Sequence, residues 1–246
     1  MKPTDIGNPE YFHRIIDCQY ACPAHTPVPE YIRLIVAGRY ADAYMINWEA
    51  NVFPGVLGRT CDRPCEAACR RTRVEDGQKK EPVAICRLKR VAADFKGEID
   101  QRMPDLLPNN GKRIACVGAG PASLTVARDL APLGYDVVVY EGEKKAGGFM
   151  RSQIPAFRLP ESVLEEETGR VLDMGIDFRS GEWVQSLKKL REENYDAIFI
   201  GSGAPRGRDL EIPGRKEAAA NIHIGIDWLA SVSFGHVNAI GKRVIV

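Results

Sequence analysis

IACVGAGPASLTVARDL, residues 114–130, reads as the end of a strand, a glycine turn and the start of a helix. Gly118 permits the tight turn and Gly120 lets the backbone approach a pyrophosphate. Ser123 fills the third position, where a small side chain allows helix and strand to pack closely. Through Gly118-Ala119-Gly120-Pro121-Ala122-Ser123 the chain presents the positive N-terminus of a helix to phosphates. Residues 136–140 (DVVVY) are β-branched as buried parallel strands are. Glu141, 23 residues after Gly118, stands where an acid accepts hydrogen bonds from a ribose diol. A glycine turn alone occurs in many α/β domains, whereas strand, turn, helix, second strand and acid in this order specify a dinucleotide-binding unit.

Outward from that unit the alternation continues. Residues 113–117 form the first strand and 121–133 a helix. Residues 164–174 form another helix, 197–200 another strand, and 243–246 begin one more, which predicts a parallel sheet. Gly147-Gly148 follows the acid, and Gly201-Ser202-Gly203-Ala204 follows the 197–200 strand. These small residues let the chain run close to a cofactor at the carboxyl edge of the sheet. A nicotinamide site alone would not need this second set.

Upstream of Asn109-Asn110-Gly111 the character changes. Residues 28–48 predict two short helices broken at Gly38, and 82–95 a third, with no strand pattern. Six of the seven cysteines fall in the first 86 residues: Cys18, Cys22, Cys61, Cys65, Cys69 and Cys86. In a reducing compartment such clustering points to metal ligation over disulfides. Thiolates converging from separate loops suit the corners of a [4Fe–4S] cube. Zinc also accepts four thiolates, usually from paired knuckles. The spacing here lacks those pairs, and a neighbouring dinucleotide domain favours a redox centre. Cys116, mid-strand, reads as core. His13, His25, His223 and His236 show no metal-ligand spacing.

The formal net charge of +1 gives no electrostatic case for nucleic acid or an anionic membrane. No apolar run approaches the ~18 residues of a membrane span, and the N-terminus lacks the apolar core of a signal peptide. A cytoplasmic location is expected.

CQYACPAHTPVPEYI (18–32), PGVLGRTCDRPCEAAC (54–69), VAICRLKR (83–90), VGAGPAS (117–123), GGFMRSQIPAFRLP (147–160) and GSGA (201–204) together resemble one family over nearly the whole chain. It includes the glutamate synthase β-subunit, the N-terminal part of dihydropyrimidine dehydrogenase and the large subunit of electron-bifurcating ferredoxin:NADP transhydrogenase. The resemblance implies an α-helical [4Fe–4S] domain, residues 1–108, followed by a Rossmann-like FAD-binding domain with a parallel sheet, residues 109–246. One cluster would take Cys22, Cys61, Cys65 and Cys86, leaving Cys18 and Cys69 of a second set. The two earlier cysteine positions of the family are Glu10 and His13 here, so one cluster is expected. Gly118, Gly120, Pro121 and Ser123 would hold the FAD pyrophosphate and Glu141 the adenosine ribose. Gly148, Arg151 and Arg158 would lie along the cofactor, Val184 by the adenine, and Gly203 and Ala204 over the FAD. Where the family has an aromatic residue and glycine before Ile-Pro, this chain has Ser152-Gln153. The resemblance also implies a chain that stops ahead of the NADPH domain, so that NAD(P)H would bind only where that domain is supplied. No general acid or base is assigned. The function implied is electron transfer between FAD and a cluster in an NAD(P)H-dependent oxidoreductase, docked on a catalytic or electron-accepting partner. A non-catalytic electron-transfer or assembly subunit and a zinc-stabilised nucleotide-binding module are the competing readings.

Overall fold

The computed structural model describes residues 16–74, 81–237 and 239–246. The chain separates into two compact units, Met1–Met103 and Pro104–Val246.

The first unit is helical throughout its described residues: α1 (Asp17–Ala21), α2 (Val28–Val36), α3 (Tyr40–Asn51), α4 (Pro54–Thr60), α5 (Pro64–Ala67), α6 (Arg71–Val74) and α7 (Ile85–Asp94). Proline occupies the first turn of α2, α4 and α5, where its missing N–H costs nothing. Gly38, at φ +73°, separates α2 from α3, as its place in the sequence predicts. The core gathers Val28, Tyr31, Ala43, Cys65, Ile85 and Ala92. α4 packs closely on α7 because Gly58 has no side chain: a Cβ there would lie 2.8 Å from the backbone of Arg90. Arg59 of α4 and Arg90 of α7 both bond Asp94, at 2.7 and 3.0 Å. The helix read over 82–95 starts later, at Ile85, where the Glu66 carboxylate accepts the Cys86 N–H at 2.9 Å.

The second unit is built on a four-stranded sheet in the order β3-β2-β1-β4. Its strands are β1 (Arg113–Val117), β2 (Asp136–Glu141), β3 (Asp177–Ser180) and β4 (Ala197–Ile200), and every pairing is parallel. Helix α8 (Pro121–Leu130) packs on β1 and β2, and α10 (Glu161–Leu172) packs on α8. Between them lies the single turn α9 (Phe149–Ser152); α11 (Leu187–Leu190) and α12 (Gly225–Ser233) follow β3 and β4 respectively. Ala115, Val138, Tyr140 and Leu190 form a cluster on which Val117, Val184, Tyr195 and Ile198 pack. Cys116 is core, as read from its position in the strand; burial pushes its thiol up to about 11.

The structure differs from the sequence reading at two points. Residues 243–246 form no strand: they are exposed and pair with no other strand among the described residues, so the ladder that would define one is missing. The boundary between units lies at Met103–Pro104, upstream of the expected 108/109. The reason is local. Leu107 N–H bonds Pro132 O at 3.0 Å and Asn110 N–H bonds Gly134 O at 2.9 Å, which ties this stretch to the turn before β2.

Candidate functional site

The glycine turn is made by three backbones meeting. β1 ends at Gly118, whose φ of +92° suits glycine; a Cβ there would lie 2.8 Å from Gly201 O, at the end of β4. A Cβ at Gly148 would lie 2.8 Å from Gly120 Cα. Ala119 accepts the Gly147 N–H at 2.8 Å. Thus all three glycine segments singled out in the sequence converge on the β1 edge. β2 and β4 lie on opposite sides of β1, so this is where the strand order reverses and where doubly wound sheets bind ligands. Ser123 is 0% exposed, and a side chain at Gly201 would overlap its hydroxyl, which is why that position must be small. Gly120 caps α8 without a side-chain acceptor. The amides of the helix's first turn are therefore left for an anion.

Glu141 closes the turn from the side. Its carboxylate accepts the Ala119 N–H at 2.7 Å and the Glu143 N–H at 3.0 Å. Each carboxylate oxygen keeps a further lone pair for a ribose hydroxyl. Arg151 bonds Ala146 O at 2.8 Å and Glu165 at 3.0 Å, while its Nη2 is buried with no hydrogen-bond partner among the described residues. Arg151 therefore braces the Gly147-Gly148 turn and retains a donor. Arg158, Gly203 and Ala204 are exposed, and Val184 packs its side chain into the sheet cluster. Pro121 is the first residue of α8, and Ala122 beside it is exposed. These features, a bare glycine cradle with free amides and an orphaned arginine donor, fit the diphosphate of a dinucleotide.

In the first unit the cysteines sit at helix ends. Cys22 caps the C-terminus of α1 and Cys61 that of α4; Cys65 and Cys86 lie in the first turns of α5 and α7. Arg63, left-handed at φ +64°, reverses the chain between Cys61 and Cys65 and donates its N–H to Cys61 Sγ at 3.3 Å. Glu66, next to Cys65, caps the amide of Cys86. The Gly58 contact brings α4, which ends at Cys61, against α7, so Cys86 Sγ reaches Leu57 O and Gly58 O at 3.4 Å.

These constraints make the thiols electrostatic neighbours. Burial raises the Cys65 thiol to about 11, with Cys61 and Cys22 adding to the rise. Burial and then Cys61 raise Cys86. Cys22 differs: burial pushes it up, but hydrogen bonds from Thr26 and Ala24 and the Lys89 cation leave it below an ordinary thiol. Lys89, only 7% exposed, acts on Cys22, Cys65 and Cys86 alike. Cys18 is raised mainly by burial, and the thiol acting on it is Cys69. Tyr31 bonds Ile85 O at 3.1 Å and is raised by burial and by Cys65, Cys18, Cys86 and Cys22. Cys61 and Cys22 thus act on Cys65, Cys61 acts on Cys86 and Cys69 acts on Cys18, while Tyr31 feels Cys18 together with Cys65, Cys86 and Cys22. Among the described residues, no three His, Cys, Asp or Glu side chains close on a single-ion site. A cluster asks for wider spacing, because each thiolate holds a different iron. The all-thiol donor set beside a buried cation fits such a group. Glu10 and His13 lie outside the described residues.

Sequence reasoning missed Thr26, Gly58, Glu66 and Lys89. Glu66 and Lys89 lie beside cysteines in the motifs, but only the tertiary packing turns them inward.

Residues 14–101 match the model for dihydropyrimidine dehydrogenase domain II with its 4Fe–4S cluster. Residues 116–176 match the NAD(P)-binding Rossmann-like domain. The chain is 34% identical to the NADPH-Fe(3+) oxidoreductase subunit beta of Geobacter sulfurreducens, over 99% of this chain and 37% of the relative. It is 35% identical to the NAD-dependent dihydropyrimidine dehydrogenase subunit PreT homolog of Salmonella typhi, over 86% of this chain and 50% of the relative. It is 32% identical to the glutamate synthase [NADPH] small chain of Mycobacterium tuberculosis, over 93% of this chain and 49% of the relative. The chain thus spans half or less of the length of these relatives. It joins a 4Fe–4S domain of the dihydropyrimidine dehydrogenase domain II type to a Rossmann-like dinucleotide-binding domain, and its homologues are oxidoreductase subunits.

Proposed function

We propose that this chain carries electrons between FAD in its second unit and one [4Fe–4S] cluster in its first, as a subunit of an NAD(P)H-dependent oxidoreductase. The observation that carries the reading is the packing of the helix ends that bear Cys61, Cys65 and Cys86. Glu66, next to Cys65, accepts the Cys86 N–H at 2.9 Å, and Cys86 Sγ reaches Leu57 O and Gly58 O, just ahead of Cys61, at 3.4 Å, while Cys22 acts electrostatically on Cys65. When bound, the flavin supplies the exchange between electron pairs and single electrons that such a relay needs. The chain's own residues bind and orient. The Gly118–Ser123 turn and the first amides of α8 hold the diphosphate, and Gly148, facing Gly120 across the turn, leaves room for it. Glu141 fixes the turn and takes the ribose; Arg151 braces the adjoining segment. On this reading Arg158, Val184, Gly203 and Ala204 would contact the cofactor beyond the diphosphate. Lys89 and the Arg63 amide offset negative charge around the four thiolates.

The relatives' names describe subunits of larger enzymes, which supports a hetero-oligomer in which a partner accepts the electrons. No helix among the described residues is long and apolar enough to cross a membrane. Anaerobic purification followed by iron, sulfide and flavin assays tests the proposal. Iron with flavin is expected. Iron without flavin would recast the chain as an electron-transfer or assembly subunit, and zinc without iron would overturn the cluster.

A further inference from the structure

The loop after α1 holds a buried hydroxyl that neither cofactor site explains. Thr26 is 1% exposed, and its Oγ1 lies 3.4 Å from Cys22 Sγ. On the other side, Asn51 Nδ2, at the end of α3, lies 3.3 Å from the same oxygen. The loop around it is fixed: the Val28 N–H bonds Thr26 O at 2.8 Å, and Gln19 Nε2 bonds His25 O at 3.1 Å. His25 itself turns at φ +47°.

The direction of these bonds follows from valence. A cysteine bound to iron is a thiolate with no proton, so its sulfur can only accept. A threonine hydroxyl has one proton and two lone pairs. If that proton goes to sulfur, the oxygen must accept from its other neighbour, and the Asn51 amide is a donor. The three side chains form a one-way relay, Asn51 N–H to Thr26 oxygen and Thr26 O–H to Cys22 sulfur.

We propose that Thr26 is a positioning residue that sets the reduction potential of the iron–sulfur centre by donating a hydrogen bond to its Cys22 ligand. The proposal rests on the ligand set argued above. One-electron reduction adds negative charge that is shared by the sulfurs. A donor aimed at one of them therefore stabilises the reduced form more than the oxidised form and raises the potential. Because the hydroxyl is buried, water cannot replace it when it is removed.

The experiment uses the full chain reconstituted anaerobically with iron and sulfide, titrated with dithionite and followed by EPR. Thr26→Val keeps the branched shape and removes the donor; Thr26→Ser keeps the donor. The expected result is full iron content in both, a midpoint shifted to more negative potential in Thr26→Val, and a midpoint near wild type in Thr26→Ser. An unchanged midpoint in Thr26→Val, or an equal shift in Thr26→Ser, would overturn the proposal. If Thr26→Val takes up no iron, Asn51→Ala decides. It leaves the hydroxyl in place without its fixed neighbour and must give a smaller shift of the same sign; no shift overturns the proposal. A wild-type chain that takes up no cluster, or a Cys22→Ser chain that keeps it unchanged, would instead overturn the ligand set beneath.

Discussion

The two units build their sites from opposite materials. In the Rossmann unit the site is backbone: three glycine segments meet at the β1 edge, and the groups offered to a ligand are amides. In the helical unit the proposed site is side chain: thiols stand at the ends of α1, α4, α5 and α7, and helix packing sets Cys86 against the end of α4 and the start of α5. A backbone site is sensitive to any added atom and indifferent to much side-chain chemistry. A side-chain site depends on helices some distance from the sulfurs themselves. Mutations that strike one unit should therefore leave the other's cofactor in place.

The largest break in that comparison is Gly118→Val. It adds atoms 2.8 Å from Gly201 O at a backbone φ of +92°. Left-handed strain and overpacking each cost about 1–3 kcal/mol. Flavin binding should be lost while iron content is retained, read by flavin and iron assays on one preparation. Gly58→Ala is the mirror experiment. Its Cβ would strike the Arg90 backbone at 2.8 Å, costing about 1–3 kcal/mol by overpacking. α4 would be pushed off α7, so iron should fall and flavin stay.

Smaller effects sharpen the contrast. Glu141→Gln replaces a carboxylate that accepts two amides, at 2.7 and 3.0 Å. ADP affinity, measured by calorimetry, should weaken by about tenfold, since charge-assisted bonds are the stronger ones and ~1.4 kcal/mol is a factor of ten. Asp94→Asn should cost least, about 1 kcal/mol for a partly buried ion pair. Burial pushes the Asp94 carboxyl up, but hydrogen bonds from Arg59 and Arg90 outweigh it and hold the group below the usual carboxylate range. A depressed carboxylate stabilises the fold above its unfolded value of about 3.9, and the gain disappears as pH falls through the lower folded value. Urea melts of wild type and Asp94→Asn should differ at pH 6 and converge as pH drops below about 4.

The two sites were unequally legible for the same reason that they differ. Gly118, Gly120, Ser123 and Glu141 belong to one local strand–turn–helix–strand run, so spacing alone locates the turn and predicts β1 and β2. β3 (DFRS) was not read because four residues without apolar alternation carry no period-2 signal. The single turns around Cys22 and Cys65 were missed because a helix of four or five residues barely completes one 3.6-residue turn. The cysteines were visible as a count, but Gly58, Glu66 and Thr26, which hold them in place, act across 20 or more residues of sequence or through a short loop. Composition cannot show such contacts. The strand expected at 243–246 was read from apolar residues alone, without a partner strand to complete it.

The most direct measurement of the central claim is the iron spectrum of six single Cys→Ser variants, reconstituted with ⁵⁷Fe and read by Mössbauer and EPR. The account predicts one cubane of about four irons per chain. It should be lost or converted in the Cys22, Cys61, Cys65 and Cys86 variants and intact in those of Cys18 and Cys69. A cluster that survives replacement of Cys61 or Cys86, or that requires Cys18 and Cys69 instead, would contradict it.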